Sequence, residues 1–216
     1  IPTDRRRKIA ELAASHDFIV LEDDPYGEVR FRGEPVPAIK SFDTAGNVIM
    51  LNSFSKIIAP GLRVGACAAA PDIINKLELV KQGADTHTPT LTQAICAEFL
   101  SRGLLPEHLK SVANIYTERL DAMLDGIKRH FPAGCEYTEP EGGLFVWVKL
   151  PNQIDASALL PRVVAEAKVA YVPGAPFCVN PADGIDSLRL NYSSSDAGKI
   201  AVGVERLGKM LQAELK

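Results

Sequence analysis

The sequence of 216 residues has few cysteines and lacks both a long apolar run and an excess of charge of one sign. Its four cysteines are scattered without Cys-x-x-Cys spacing, which favours free thiols in a reducing cytosol over a metal site or a disulfide framework. The sequence contains neither a run of about 18 apolar residues nor a charged-then-apolar leader, so it indicates neither a membrane span nor secretion. We therefore expect a soluble, cytoplasmic protein without a metal site.

Positive and negative charges are nearly balanced, with 24 lysines and arginines against 27 acidic residues and a net charge of −3. The one basic run, at residues 5–8, is short and lies at the start of a helical pattern, as is typical of a solvated helix face. Nucleic acid is therefore not an expected partner. An initiator methionine is also lacking, and the opening residues Ile1-Pro2-Thr3 form a turn that leads into a helix. We expect the sequence to be a piece of a longer protein.

The first half of the sequence alternates helical patterns with short, unbroken apolar runs. The runs at residues 18–21 and 47–51 are typical of strands that are buried on both faces of a parallel sheet. A third apolar stretch follows at residues 66–70. The spacing of apolar residues predicts helices over residues 3–16, 72–82, 91–100 and 106–130. This alternation predicts an α/β fold with a mainly parallel sheet.

The second half is organised differently and indicates a small α+β domain. Its predicted elements are strands at residues 135–138, 144–150, 169–172 and 188–192 and helices over residues 155–168 and 196–215. The helix over residues 106–130 would be about 37 Å long, more than one small domain needs, so we expect it to bridge two domains. We place the domain boundary between residues 116 and 117.

Polar side chains follow the first two apolar strands at the point where each strand ends. They supply a carboxylate, a phenol, two hydroxyls and an amine: Asp23, Tyr26, Ser53, Ser55 and Lys56. Ligands of open parallel sheets bind beyond the carboxyl ends of the strands, so these groups converge on one cleft if the two strands are neighbours. Arg63, seven residues after Lys56, could turn back toward the same hydroxyls.

This set of groups meets the four demands of pyridoxal phosphate. Its aldehyde needs a lysine amine, and its pyridine nitrogen stays protonated beside a carboxylate. Its ring oxygen accepts a hydrogen bond from a phenol, and its phosphate binds hydroxyls and an arginine fork. Each residue taken alone has a more ordinary interpretation: Asp23 as a turn cap, Tyr26 as a packed ring, Arg63 as an ion-pair partner. The order and the spacing of the residues carry the prediction.

Three segments resemble signatures of a known family. Residues 22–31 and 53–65 look like two successive signatures of class I/II, fold-type I, pyridoxal-phosphate-dependent aminotransferases, and residues 187–193 are similar to a third. Within the family they resemble the subgroup of 2-aminoadipate, kynurenine and aromatic aminotransferases. The resemblance implies a C-terminal portion of the family's fold: residues 1–116 as the end of the large cofactor-binding domain and residues 117–216 as a small α+β domain.

The resemblance also implies a role for each matching residue. Lys56 matches the lysine that forms the Schiff base with the cofactor, and Tyr26 the residue that contacts the ring oxygen. Asp23 matches the aspartate at the pyridinium nitrogen, and its spacing of three residues to Tyr26 favours it over Asp24. Two further groups complete the set: phosphate contacts from Ser53, Ser55 and Arg63, and a substrate-carboxylate contact from Arg189.

The family resemblance implies partners as well: an amino acid and a 2-oxo acid as substrates, and a second subunit in a homodimer. The loop at residues 86–90 is a candidate for reaching that second subunit. Family members carry roughly as much chain again before residue 1, including much of the cofactor cradle. We therefore do not expect this chain alone to be a competent aminotransferase. Two alternatives stay open, namely another pyridoxal-phosphate enzyme such as a lyase or decarboxylase, and the aminotransferase-like effector domain of a transcription regulator.

Overall fold

The computed structural model describes residues 1–215, and the chain divides into two compact units, Ile1–Ala113 and Asn114–Lys216. The fold is α/β, as predicted. The assignment of residues 1–116 to a cofactor-binding domain and of residues 117–216 to a small domain remains a prediction. Among the helices of residues 1–215, none is both long enough and apolar enough to cross a lipid bilayer.

The first unit contains a three-stranded sheet preceded by helix α1 (Thr3–His16). The strands are β1 (Val20–Asp23), β2 (Val48–Ser53) and β3 (Gly65–Ala68), in the order β1-β2-β3. β1 runs parallel to β2, whereas β3 pairs antiparallel to β2. The predicted third apolar stretch is therefore a strand, but it returns beside β2 rather than joining through a parallel crossover.

One face of this sheet carries the core of the first unit, which is centred on Ala10 of α1, Ile39 and Val48. The prediction that the first strand is buried on both faces was wrong, because Leu21 is 62% exposed and Phe18 lies before the strand at 44% exposed. Side chains alternate between the two faces of a strand, so the core covers only every second residue of β1.

Glu22, the buried polar residue of β1, fixes the loop that leads to β2. Its carboxylate accepts hydrogen bonds from the backbone N–H groups of Ile39 and Lys40, at 2.7 and 2.9 Å, and lies 3.5 Å from the guanidinium of Arg6. A buried charge is stabilised in this way by donors from two directions. The 3₁₀ turn Ile39–Phe42 is thereby held against β1.

Asp43 closes the turn that begins β2. Its carboxylate accepts hydrogen bonds from the backbone N–H groups of Gly46, Asn47 and Val48, and the ammonium group of Lys40 lies 2.9 Å away. Burial alone would raise the pKa of Asp43, but the hydrogen bonds from Lys40 and from the backbone outweigh it and lower the pKa to about 2.

Three helices follow β3: α2 (Pro71–Ala84), α3 (Thr90–Ser101) and α4 (Leu105–His130). Pro71 occupies the first position of α2, where its missing N–H has no helical partner to lose. α2 has no buried residue, and α3 has one, Cys96. α4 begins in the first unit and ends in the second.

The second unit contains a four-stranded antiparallel sheet. Its strands are β4 (Glu136–Tyr137), β5 (Phe145–Lys149), β6 (Val172–Pro173) and β7 (Ser187–Asn191), in the order β4-β5-β7-β6. All three pairings are antiparallel. Strands are present at three of the four predicted places, although β4 is shorter than expected. The strand predicted over residues 169–172 was wrong except at Val172, because β6 begins there and ends at Pro173.

Two helices complete the second unit: α5 (Ala156–Arg162), which continues as a π-helical turn (Val163–Ala167), and α6 (Ala197–Glu214). The helix predicted over residues 155–168 is present, but it is not a regular α-helix along its whole length. Pro161 lies inside α5, and a proline has no N–H to donate to the preceding turn, so the regular hydrogen-bond pattern changes beyond it. Lys168, in the left-handed conformation, ends the helical segment.

Alternate residues of β5 and β7 form the core of the second unit together with apolar residues of the helices. Fully buried examples are Val146, Val148, Leu188, Leu120, Leu207 and Leu211. Glycines allow α4 and α6 to approach closely: a Cβ at Gly126 would lie 2.8 Å from a methyl carbon of Val204, and one at Gly208 would collide with the carbonyl oxygen of His130. The remaining residues of β5 and β7 point to the other face of the sheet.

Candidate active site

The two strands that precede the candidate residues are neighbours in the sheet. β1 and β2 run parallel from the pair Val20–Val48 to the pair Asp23–Leu51. The backbone N–H of Asp24 extends the ladder by donating to the carbonyl of Leu51, at 3.0 Å. The polar segments after both strands therefore start at the same edge of the sheet, which is the arrangement that a shared ligand site requires.

Asp23 lies on the face of the sheet opposite the core of the first unit. It pairs with Leu51, and strand alternation places Ser53, two residues further along β2, on the same face. Asp23 is exposed and Ser53 is half-buried. A carboxylate and a hydroxyl thus lie on one open face at the ends of adjacent strands.

Asp24, the neighbouring carboxylate, belongs to a different environment. It lines a cavity of about 500 Å³ together with Met50 and Asn52, two residues of the other face of β2. Its carboxylate also lies against Gly27 so closely that a Cβ at Gly27 would collide with it. Asp24 therefore packs inside the turn that follows β1, whereas Asp23 faces away from it.

Tyr26 lies in this turn and is half-buried. Its carbonyl accepts a hydrogen bond of 2.8 Å from the N–H of Val29, whose side chain is almost completely buried. This bond closes the turn after β1 and anchors it to the interior of the first unit. The backbone of Tyr26 is thus fixed close to the strand end that carries Asp23.

Lys56 lies in a tight turn that directly follows β2. The carbonyl of Phe54 accepts hydrogen bonds from the N–H groups of Ile58 and Ala59, at 2.8 and 3.2 Å, and the N–H of Phe54 donates to Val64. Ile57 is buried, so it anchors the turn in the interior of the unit. The turn thereby holds the half-buried Lys56 at the end of β2.

Ser53, Ser55 and Arg63 lie together, and Arg63 turns back toward the hydroxyls as its spacing suggests. The N–H of Ser55 donates to Oγ of Ser53, and the guanidinium of Arg63 donates to Oγ of Ser55, both at 3.3 Å. Arg63 follows the 3₁₀ turn Pro60–Leu62 and has a φ of 54°, a left-handed conformation that reverses the chain into β3. Two hydroxyls and a planar cation thus form a set of donors suited to a phosphate.

Arg189 is the one candidate residue that lies in the second unit. It is in the middle of β7, opposite Trp147 of β5 on one side and Val172 of β6 on the other. Its guanidinium carbon lies over two aromatic rings, 4.0 Å from the centre of Phe145 and 4.6 Å from the centre of Phe177.

Sequence reasoning missed both aromatic contacts of Arg189. The period of a strand indicates that Phe145 and Trp147 share a face of β5, but it does not give the register that brings this face beside Arg189. Phe177 lies in the 3₁₀ turn Ala175–Phe177, after β6, and no local pattern links that turn to β7.

Tyr171, next to β6, has a structural role. Its side chain is buried and its hydroxyl donates a hydrogen bond of 2.7 Å to the carbonyl of Ala156 at the start of α5. Burial, and to a lesser degree the negative charge of Asp155, raises the pKa of Tyr171 to about 12. This phenol therefore stays protonated and serves packing rather than proton transfer.

The family model described as "Aminotransferase class I and II" matches residues 1–207. The chain belongs to the class I and II aminotransferase family. Similar proteins include aromatic-amino-acid aminotransferase 1 of Thermococcus litoralis, which is 44% identical over 212 residues, 98% of this chain and 50% of that protein. The 2-aminoadipate transaminase of Thermus thermophilus is 40% identical over 219 residues, 99% of this chain and 54% of that protein.

Solved structures of the aminotransferase family have the same fold as this chain. A crystal structure of Pyrococcus horikoshii kynurenine aminotransferase in complex with PMP matches with a TM-score of 0.94 at 42% identity, over 100% of this chain and 53% of that chain. The chain thus spans about half the length of the aminotransferases it matches. An uncharacterized HTH-type transcriptional regulator of Bacillus subtilis is also similar, at 32% identity over 93% of this chain and 41% of the regulator.

Proposed function

We propose that this aminotransferase-family chain corresponds to the part of a pyridoxal-phosphate-dependent aminotransferase that holds the cofactor-binding lysine. The whole protein would move an amino group from an amino acid to a 2-oxo acid. The observation that carries the proposal is the grouping of Asp23, Ser53, Ser55, Lys56 and Arg63 at the adjacent ends of two parallel strands. The family match and the relatives named as aminotransferases support the same activity.

The donor set of the first unit fits pyridoxal phosphate. When it is bound, this cofactor supplies an aldehyde that reacts with amines and a cationic ring that withdraws electrons. Arg63 and the hydroxyls of Ser53 and Ser55 would bind its phosphate through charge-assisted hydrogen bonds. Asp23, on the open face of β1, would keep the ring nitrogen protonated, because a neighbouring negative charge favours the cationic form.

Two further residues of the first unit have proposed roles close to the reacting atoms. Tyr26 would donate a hydrogen bond to the ring oxygen from the turn that Val29 anchors. Lys56 supplies the primary amine that would hold the cofactor. When the substrate amine has taken its place, the free amine of Lys56 would act as the base that moves a proton at the α-carbon of the substrate. The turn closed on the carbonyl of Phe54 would keep this amine at the strand end.

Arg189 would bind the α-carboxylate of the substrate in the second unit. A guanidinium offers two parallel N–H donors that match the two oxygens of a carboxylate, which a lysine ammonium cannot do. We also propose that the whole protein is a cytoplasmic homodimer whose partners are an amino acid and a 2-oxo acid, with neither nucleic acid nor membrane among them.

A second candidate function is that of an effector domain in a transcription regulator. The similarity to an HTH-type regulator of Bacillus subtilis favours it. The same fold and the same lysine could serve such a domain as a sensor. A helix-turn-helix encoded upstream of residue 1 would support the regulator, and an aminotransferase-like N-terminal half would support the enzyme.

The decisive experiment maps the lysine that carries the cofactor. The full-length protein that contains this sequence is loaded with pyridoxal phosphate, reduced with borohydride and digested, and the labelled peptide is identified by mass spectrometry. We expect stoichiometric label on Lys56 and loss of both label and turnover in Lys56→Arg. The control Lys76→Arg, on the exposed surface of α2, should keep both. Stoichiometric label on another lysine would contradict the proposal.

A further inference from the structure

Arg189 lies on the face of the second sheet that points away from the core, where its guanidinium is only partly covered. Its Nε is completely buried and finds no hydrogen-bond acceptor within residues 1–215. The residue as a whole is only half-buried, so the buried Nε leaves the terminal nitrogens as the part of the guanidinium nearest to solvent. A group that approaches Arg189 therefore meets the two terminal nitrogens and not Nε.

Two phenyl rings from different elements hold the guanidinium in this position. Phe145 extends from β5, with its ring centre 4.0 Å from Cζ of Arg189, and Phe177 extends from the turn after β6, at 4.6 Å. Trp147, directly opposite Arg189 in the ladder, contacts the ring of Phe177 edge to face at 5.7 Å. Phe145 and Phe177 together form an aromatic clamp around the guanidinium.

The chemistry of these contacts limits how Arg189 can move. The face of an aromatic ring is negative, and a guanidinium over it is attracted to the ring and resists rotation away from it. A cation–π contact provides no hydrogen-bond acceptor, so it holds the cation without using the N–H donors of the guanidinium. The aromatic clamp therefore fixes the position of Arg189 and leaves its terminal N–H groups available for an anion.

We propose that Phe145 and Phe177 are positioning residues, which hold Arg189 so that its two terminal nitrogens bind the α-carboxylate of an amino acid or 2-oxo acid end on. This inference rests on the proposed function, because it takes Arg189 as the carboxylate ligand. Beyond that role, Phe145 and Phe177 would set the orientation in which the guanidinium meets the carboxylate, although neither ring touches the carboxylate.

The first test measures the clamp itself in the full-length protein that contains this sequence, without substrate. The Nε–H resonance of Arg189 is assigned in arginine-labelled protein by its loss in Arg189→Lys. Ring currents should displace this resonance, and Phe177→Leu should move it toward the position of a solvated arginine while Phe177→Tyr restores it. The exposed Val179 provides a control two residues away, and Val179→Ala should leave the resonance in place. An unchanged resonance in Phe177→Leu would overturn the clamp.

The second test measures binding of the carboxylate by the full-length protein, with 2-oxoglutarate and its partner amino acid as the probes. Phe177→Leu should raise KM by about tenfold with little change in kcat, and Phe177→Tyr should return KM to near the original value. If Arg189→Lys leaves KM unchanged, Arg189 is not the carboxylate ligand and the proposed role of this residue fails. If Arg189→Lys raises KM and Phe177→Leu does not, the positioning role alone is overturned.

Discussion

The two units of this chain differ in how completely they cover their apolar residues. In the second unit, the core residues of β5, β7, α4 and α6 are buried almost without exception. In the first unit, α2 has no buried residue, all four residues of β3 are exposed, and Leu79 and Leu91 are 68% and 72% exposed. Local sequence patterns predicted helices in both units, in the covered one and in the exposed one. The pattern that forms a helix therefore does not show whether another segment covers its apolar side chains.

The exposed apolar residues of the first unit have a physical consequence. β1 lies at the edge of its sheet and pairs within residues 1–215 only with β2, and one face of the sheet carries exposed Leu21. Unpaired strand edges and contiguous apolar surfaces tend to associate with other surfaces. The unit that carries most of the candidate site is therefore also the unit with the least covered surface.

The largest effect on kcat/KM is expected from substitutions of the two carboxylates at the end of β1. They test whether the less covered first unit carries the catalytic residues. Asp23→Asn in the full-length protein should reduce kcat/KM by about 100-fold or more, because an amide cannot keep the ring nitrogen protonated. Asp24→Asn should have a mild effect, since Asp24 packs inside its turn. Steady-state kinetics of the two variants decide the matter, and the reverse pattern would refute the choice of Asp23.

The next largest effect concerns the covered unit and the contact between α4 and α6. Gly208→Ala should lower the free energy of unfolding by about 1–3 kcal/mol or more, because the new Cβ would collide with the backbone of His130. Gly203→Ala, in the same helix, is the matched control. Its Cβ would lie 3.7 Å from Val169, an ordinary contact, so the better helix propensity of alanine should make it neutral or stabilising.

Urea unfolding followed by circular dichroism measures both glycine variants. Equal destabilisation of Gly208→Ala and Gly203→Ala would mean that the close approach of the two helices does not limit the stability of this unit.

A smaller effect is expected at acid pH, and it should be confined to the first unit. The pKa of Asp43 is lowered to about 2 in the folded protein, whereas an aspartate in the unfolded chain has a pKa of about 3.9. The ionised carboxylate therefore stabilises the fold fully above about pH 4. That contribution, of the order of 1–2 kcal/mol, is lost as the pH falls from about 4 to about 2. Hydrogen exchange at the amide of Val48, which donates to Asp43, should accelerate over this range. In Asp43→Asn, only the intrinsic pH dependence of amide exchange should remain, and the acceleration between about pH 4 and about pH 2 should be absent.

The smallest change in stability is expected on the exposed surface of α2. Leu79→Lys should change the free energy of unfolding by less than about 0.5 kcal/mol, because this side chain is already in water. It should nevertheless reduce self-association of the chain, measured by sedimentation velocity. By contrast, Leu207→Ala in the covered unit should cost about 2–5 kcal/mol. A large loss of stability from Leu79→Lys would remove the distinction between the units.

Much of the fold could be predicted because it depends on residues close together in the sequence. The helix predicted over residues 3–16 is α1, and the end of α4 at His130 agrees with the prediction. Apart from the change of helix type after Pro161, the errors are non-local. The direction of β3 and the exposure of β1 depend on which other segments lie beside them, and a single strand contains no information on its neighbours.

In the candidate site, too, the features set by residues close in sequence could be predicted and those set by distant residues could not. The separation of Asp23 from Asp24 follows from strand alternation, and the return of Arg63 to Ser55 follows from a short loop. That Asp23 rather than Asp24 meets the cofactor stays a prediction. The roles of these residues remain predictions. The rings around Arg189 could not be predicted, because Phe145 and Phe177 reach it through strand register and a turn distant in sequence.

The single tryptophan of the sequence is Trp147, and its contact with Phe177 gives the second unit a built-in optical signal. The indole lies beside the strand that carries Arg189, on a sheet face that is only partly shielded from water. A movement of Phe177 or the arrival of an anion would change the polarity around the indole and shift its emission. Because the first unit contains no tryptophan, that fluorescence would report on the surroundings of Phe177 and Arg189 without any added dye.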